Sequence, residues 1–384
     1  MAGVRNEFDM KERPGTATGK TTGTKPGATG LTARVVLIAG SVLFSLGVLE
    51  IGTRLLRWGP ERLAHWPNLV RERMSLQTEG DAPCAYVYDA ALGWRSPLNC
   101  VSENYNSDAD GFRRAPGEQA LALPPVLATG ASFAKGDEVN DGESWSAYLQ
   151  AMTGRKVVNA GVSGYSFDQT VLSTEEFARQ VRPLFIVVSF TPDDIRRSEL
   201  SVSWSRAKPY FTAAGGKLEL ANVPVPGKPG PLVAIPTAAH LLGRSALADE
   251  VARRLGLFAG WYYDEVRALP AGMGATVACL LMPRLASLGV PVVVMAQYGR
   301  GYWRGYADRE KTVAPTVARV LGCAAEAGLM PFDLSDPMKA VIETRGLDAL
   351  YRTDHQSAEG NRVVAELLMH ELVRRGLLAS TAGR

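Results

Sequence analysis

The sequence predicts an α/β protein with a mainly parallel, five-stranded sheet covered by helices on both faces, preceded by one membrane-spanning helix. Three observations predict it. From about residue 121, apolar runs of strand length alternate with longer stretches of helical spacing. An uncharged apolar run lies near the N-terminus. The 384 residues are 46% hydrophobic and 21% charged, an ordinary globular balance with room for a large core.

Residues 1–33, rich in Gly, Thr and Lys, are expected to form a disordered cytoplasmic tail. Gly15 to Thr21 echoes a phosphate-binding loop, but the glycine spacing is wrong and no strand precedes it. The span Val35 to Leu49 carries no charge, and Arg34 and Arg54 bracket it. With Arg34 snorkelling, it approaches the roughly 20 residues a bilayer needs, so residues 34–56 are expected to be a signal anchor. A cleaved signal peptide is the alternative; the long polar leader and the missing small-x-small cleavage site count against it. Arg and Lys lie on both sides of the span, leaving the charge rule close to balanced. The N-terminus is placed inside, which makes the rest extracytoplasmic.

Residues 57–120 form a loop-rich lead-in, and 121–378 the main domain. Expected strands are Val126–Thr129, Lys156–Asn159, Leu184–Phe190, Val290–Ala296 and Met330–Leu334. Expected helices are Ser144–Met152, Phe167–Val181, Ser245–Leu255, Gly272–Leu288, Thr312–Ala327 and a terminal helix capped by Ser357. An insertion at about 200–270 contains a hairpin around Gly215 and Gly216. Alternation of this kind implies a parallel sheet, in which ligands gather beyond the carboxyl ends of the strands.

Net charge is +3, which with no basic, aromatic-laced stripe argues against nucleic-acid binding. No cofactor or metal motif is present, and no C-x-x-C occurs among the four cysteines. Cys84 and Cys100 flank a short loop-rich stretch, spaced either to pair or to stand as unrelated small residues. Cys279 and Cys323 sit in apolar helical patterns and read as core thiols. His-dependent chemistry must use His65, His240, His355 or His370.

The strand-end loops carry the chemistry. The first strand leads into Gly130-Ala131-Ser132, a serine on a tight turn before a helix, near free backbone N–H groups. The second leads into Asn159-Ala160-Gly161-Val162-Ser163-Gly164, the third into Thr191-Pro192-Asp193-Asp194. Asp354-His355 precedes the last helix. After the fourth strand comes an aromatic and Arg-rich stretch, Gln297 to Tyr306, which suits either a sugar-stacking surface or a plain Gly-flexed loop.

In block order this set resembles the SGNH/GDSL hydrolases from about residue 88 to 375, including the lead-in Asn106…Gly111-Phe112-Arg113. The resemblance implies a three-layer flavodoxin-like fold. It implies Ser132 as nucleophile, His355 as general base and Asp354 as the acid that orients it. It also implies the N–H groups of Ser132 and Gly164 as oxyanion donors, with Asp193 at the third oxyanion position. Three positions depart from the family pattern. Ala131 replaces the Asp of Gly-Asp-Ser. Asp193 stands where the family has a donating Asn, and an ionised Asp only accepts; loss of one such donor costs about 10²–10³ in kcat. Asp354 is adjacent to His355, and adjacent side chains seldom converge, which leaves Asp193 or Asp194 as other candidate orienters. The function expected is that of a membrane-anchored esterase or deacylase acting on a small-molecule, lipid or envelope-glycan ester. A non-catalytic scaffold of the same fold is the alternative.

Overall fold

The computed structural model describes residues 28–60, 63, 66, 68–69, 84, 86–117, 122–203, 206–226, 237–255, 257, 261 and 273–379. The chain divides into two units, Met1–Ala64 and His65–Arg384. In the first, α1 runs from Ala28 to Trp58. Its stretch Gly30–Arg57 contains an 18-residue window with a mean hydropathy of 2.2, and the stretch is long and apolar enough to cross a bilayer. The helix continues past the uncharged run, where Arg54 closes an ion pair with Glu50 one turn back (2.7 Å). Most of the expected tail, residues 1–27, lies outside the described residues, as does His65.

In the second unit, β1 (Val87–Asp89) and β2 (Gly93–Arg95) form a small antiparallel hairpin. The main sheet then begins. In chain order its elements are β3 (Ala122–Thr129), α2 (Ser132–Lys135), α3 (Trp145–Thr153), β4 (Arg155–Asn159), α4 (Phe167–Val181), β5 (Phe185–Phe190) and α5 (Pro192–Arg197). The insertion follows as short strands β6 (Val202–Ser203) and β7 (Arg206–Ala207), a hairpin of β8 (Tyr210–Ala214) and β9 (Lys217–Ala221), and helices α6 (Thr237–Leu242) and α7 (Ala246–Arg254). Gly215 and Gly216, both at positive φ, make the β8–β9 turn. The remainder of the insertion expected at 200–270 falls partly outside the described residues. The chain ends with α8 (Gly274–Ala286), β10 (Val292–Ala296), α9 (Arg300–Arg304), α10 (Tyr306–Glu326), β11 (Met330–Asp333), α11 (Ser335–Arg345), α12 (Leu347–Leu350) and α13 (Ala358–Arg374).

The sheet is five-stranded and parallel, ordered β4-β3-β5-β10-β11. Numbered by appearance this is 2-1-3-4-5, the flavodoxin-like order that the resemblance implied. Helices α3 and α13 pack together, while α8 packs on both α4 and α10; these are the two outer layers. The centre is dry. Every residue of β5 and β10 is buried, and Ile186, Val187, Val293 and Val294 expose nothing. This explains why the two strands read as unbroken apolar runs rather than alternating ones.

Both cysteine pairs are disulfides: Cys84–Cys100 and Cys279–Cys323. The second corrects the reading of Cys279 and Cys323 as core thiols. Helical periodicity placed each cysteine on its own helix, but the pairing depends on α8 lying alongside α10, with Cα atoms 5.2 Å apart.

The aromatic stretch after β10 is neither a flexible loop nor an open stacking surface. It folds into α9 and the start of α10. Tyr298, Tyr302 and Trp303 turn inward, with Trp303 Nε1 donating to Tyr351 Oη (2.8 Å) and Tyr298 Oη donating to Asp333 (2.8 Å).

Candidate active site

The order of the sheet reverses at β3 and β5, so the crevice at their carboxyl ends is where a ligand is expected. The chain leaves β3 through Gly130, at φ +150°. A Cβ there would lie 2.6 Å from Ser189 O and 2.8 Å from the Ala134 side chain. Only glycine makes this turn, and it delivers Ser132 as the first residue of α2. At that position the N–H has no partner within the helix.

His355 reaches the serine from the far end of the chain. Its Nε2 lies 2.8 Å from Ser132 Oγ. Its Nδ1 lies 3.0 Å from Glu138 Oε1. The acid behind the imidazole is therefore Glu138, where the sequence led to Asp354. Glu138 holds a left-handed conformation, φ +68°, rare for a residue with a side chain. Its carboxylate also accepts from the N–H groups of Thr353 (2.9 Å) and Asp354 (3.4 Å), gripping the loop that carries His355. The Phe133 ring packs against the imidazole, centroids 4.7 Å apart.

The other expected residues sit apart from this contact. Asp354 lies next to His355 in sequence but faces the chain at Gly299: its Oδ1 is 3.2 Å from where a Gly299 Cβ would stand. Its carbonyl accepts from Arg300 N–H (2.9 Å). The Asp193 side chain is 70% exposed and paired with Arg196 (3.2 Å), so it contributes no donor to the crevice. Asp194 turns inward, capping α5 at Thr191 N–H (2.7 Å) and pairing with Arg197. Burial pushes its carboxyl up to about 6, against the opposing pull of Arg197. Gly164 occupies a turn at φ +79° on the β4 exit loop. That loop presses on α2 so closely that a Cβ on Gly161 would lie 2.2 Å from Lys135 N.

Two polar residues outside the expected set hold the exit loops. Asn159 Nδ2 donates to Ala134 O (2.9 Å) and Ser146 Oγ (2.8 Å), while its Oδ1 accepts from Gly161 N–H (3.0 Å). Arg113, from the lead-in, donates to Lys135 O, Gly136 O and Val139 O at 2.6–2.8 Å and to Asp141 at 2.9 Å. The loop that presents Glu138 is thus clamped from behind by a buried guanidinium. Both residues lie within the motif stretches of the sequence; Glu138 does not. Its available signal was an acid on the same exit loop as Ser132.

No protein-family model matches the chain, and no curated protein matches it. Solved structures do match. A lipolytic protein of the G-D-S-L family from Veillonella parvula aligns at 14% identity and TM-score 0.39, covering 65% of this chain and 98% of its own. An acetylxylan esterase from Geobacillus stearothermophilus aligns at 15% identity and TM-score 0.39, covering 66% and 96%. A lipase/acylhydrolase from Enterococcus faecalis aligns at 13% identity and TM-score 0.38, covering 65% and 96%. The chain is similar to these proteins.

Two cavities are lined by chain neighbours of Ser132 and His355, though by neither residue itself. One of about 400 Å³ borders Glu138 and is lined by Tyr105, Lys135, Asn140 and Arg352 among others. A smaller one of about 160 Å³ lies between Phe133, Asp193, Tyr302 and Asp354. Beside the first, Lys135 Nζ donates to Tyr86 Oη (2.9 Å) and pairs with Asp137 (3.3 Å), whose other oxygen accepts from Ser163 Oγ (2.5 Å). Burial alone would raise the Asp137 carboxyl; Lys135, His355 and the Ser163 hydroxyl together hold it below the usual range. Among the described residues no His, Cys, Asp and Glu cluster suits a metal ion.

Proposed function

We propose that the chain is a serine esterase or deacylase of SGNH type. The observation that carries this is the continuous relay from Ser132 Oγ through His355 to Glu138, at 2.8 and 3.0 Å. A serine hydroxyl is a weak nucleophile until a base within hydrogen-bond reach takes its proton, and the base needs a third group to fix its tautomer. In this reading Ser132 Oγ attacks the acyl carbon while His355 Nε2 accepts the proton. Glu138 holds Nδ1–H and stabilises the imidazolium. The N–H groups of Ser132 and Gly164 receive the oxyanion. His355 then protonates the departing alcohol, and water or a second alcohol releases the acyl group from Ser132.

The long apolar helix supports anchorage in a membrane. The two disulfides support an oxidising compartment for the second unit, hence a cytoplasmic N-terminus and an extracytoplasmic site. An acyl or acetyl ester on an envelope glycan or lipid is then the substrate within reach.

One observation favours a second reading, a weakened or inactive scaffold. Asp193 stands where a third oxyanion donor is expected, and it is exposed and paired with Arg196. The full chain in detergent, assayed on short-chain acyl esters, separates the two. Hydrolysis lost in Ser132→Ala, with a fluorophosphonate labelling Ser132 in the wild type, supports the esterase. Equal rates in wild type and variant sink it.

A further inference from the structure

The Ser163–Gly164 peptide is one rigid unit: its carbonyl and its N–H lie in one plane and point in opposite directions. Whatever holds the carbonyl therefore aims the N–H. The Ser163 carbonyl accepts a hydrogen bond from Trp94 Nε1, 3.1 Å away. Trp94 belongs to β2 of the lead-in hairpin, far from the strand-end blocks in sequence, and is 2% exposed.

The indole itself is held on several sides. Its backbone carbonyl accepts from Tyr165 Oη (2.6 Å), and its ring meets the Tyr165 ring edge-on at 5.5 Å. The Arg206 guanidinium lies 5.7 Å from the ring centroid. The neighbouring Gly93 sits so close to the insertion that a Cβ there would be 2.5 Å from Ala207 O. On the other side of the same peptide, the Ser163 hydroxyl is fixed to Asp137, and Asp137 N–H donates to Ser132 O (3.1 Å). Gly164, with φ +79°, has no side chain of its own to restrain it.

We infer that Trp94 is a positioning residue for the reaction: its indole N–H anchors the Ser163 carbonyl and thereby fixes the direction in which the Gly164 N–H meets the oxyanion. The inference rests on the esterase reading and on Gly164 as a donor. It makes the lead-in hairpin part of the catalytic apparatus. Donors that are aimed before the reaction cost no reorganisation when charge develops. With the anchor gone, the flexible glycine peptide samples other orientations and the transition state alone is penalised.

The test replaces Trp94 in the full chain with 3-benzothienylalanine, which keeps the bicyclic shape and puts sulfur in place of N–H, alongside Trp94→Phe. The expected result is a fall in kcat of about tenfold or more, up to the roughly 10²-fold that a misplaced catalytic group costs, with KM within about threefold. The melting temperature of the isostere variant should match wild type. Ser132→Ala is run in parallel: if it retains full activity, the esterase reading itself fails. If Ser132→Ala is inactive and the isostere matches wild type, the reading stands and the Trp94 assignment is overturned. An isostere variant that raises KM alone, or that does not fold, also overturns it, because the indole would then serve binding or structure.

Discussion

Exchanging Glu138 for Gln keeps the side chain's shape and removes its charge. The carboxylate now serves three donors: His355 Nδ1 and Asp354 N–H at one oxygen, Thr353 N–H at the other. A glutamine offers a single oxygen. If that oxygen stays with Thr353, the amide N–H₂ faces Nδ1 and donates to it. The imidazole must then carry its proton on Nε2, where it cannot accept from Ser132. If the oxygen turns to Nδ1, the amide confronts the Thr353 N–H and the His355 loop loses its grip. Both outcomes cost activity, and the imidazolium formed during attack loses its counter-charge. At 3.0 Å and an effective dielectric near 20, that attraction is about 5–6 kcal/mol. Both side chains are partly solvated, at 18% and 26% exposure, which screens some of it. The expected loss in kcat/KM is about 10²–10⁴, the upper end matching what an acid-to-amide change costs in a serine triad. The assay is steady-state hydrolysis of a short-chain aryl ester, with Asp354→Asn alongside. Glu138→Gln within threefold of wild type while Ser132→Ala is dead would refute the relay. So would a loss carried by Asp354→Asn instead.

Two further predictions concern stability. Replacing Cys279 and Cys323 by Ser opens a loop with a sequence separation of 44; chain-entropy arguments give a loss of up to about 4 kcal/mol. Denaturant unfolding of the double variant should show it with the Ser132 site still reactive to a fluorophosphonate, and an unchanged midpoint would contradict the cross-link's role. The second is a pH effect at Asp137, whose folded carboxyl is held low. Such a group contributes stability that is present above its unfolded value, about 3.9, and is lost as pH falls through the folded value. The gap in unfolding free energy between wild type and Asp137→Asn should therefore be full at pH 7 and narrow below about pH 4; a gap independent of pH would count against the depressed carboxyl.

Much of the fold was legible because the sheet is buried on both faces. Such strands announce themselves as apolar runs. The helix expected at Phe167–Val181 has those ends in the structure, where Ser166 and Gln169 close a capping box at its start. Helices α11 and α12 were missed: α11 buries little beyond Met338, so it carries no strong apolar stripe. In the site, Ser132 and His355 were legible through the block order that resembles the SGNH/GDSL hydrolases, and the structure brings them into contact. Glu138 was not. Nearness in sequence pointed to Asp354, whereas the geometry depends on a positive-φ bend that no periodicity reveals. The Cys279–Cys323 bond was hidden for a related reason, since it reports how two helices lie beside each other. An even cysteine count was the only hint.

The contact between Ser132 and His355 joins residues 223 positions apart. On the proposed reading, a growing chain therefore carries its nucleophile long before its base exists. Any molecule cut or released short of residue 355 keeps Ser132, half-buried in the folded chain, without the imidazole that meets it there. On the same reading, partial products of synthesis or proteolysis lack the Ser132–His355 contact, which forms only once the segment leading into α13 is in place.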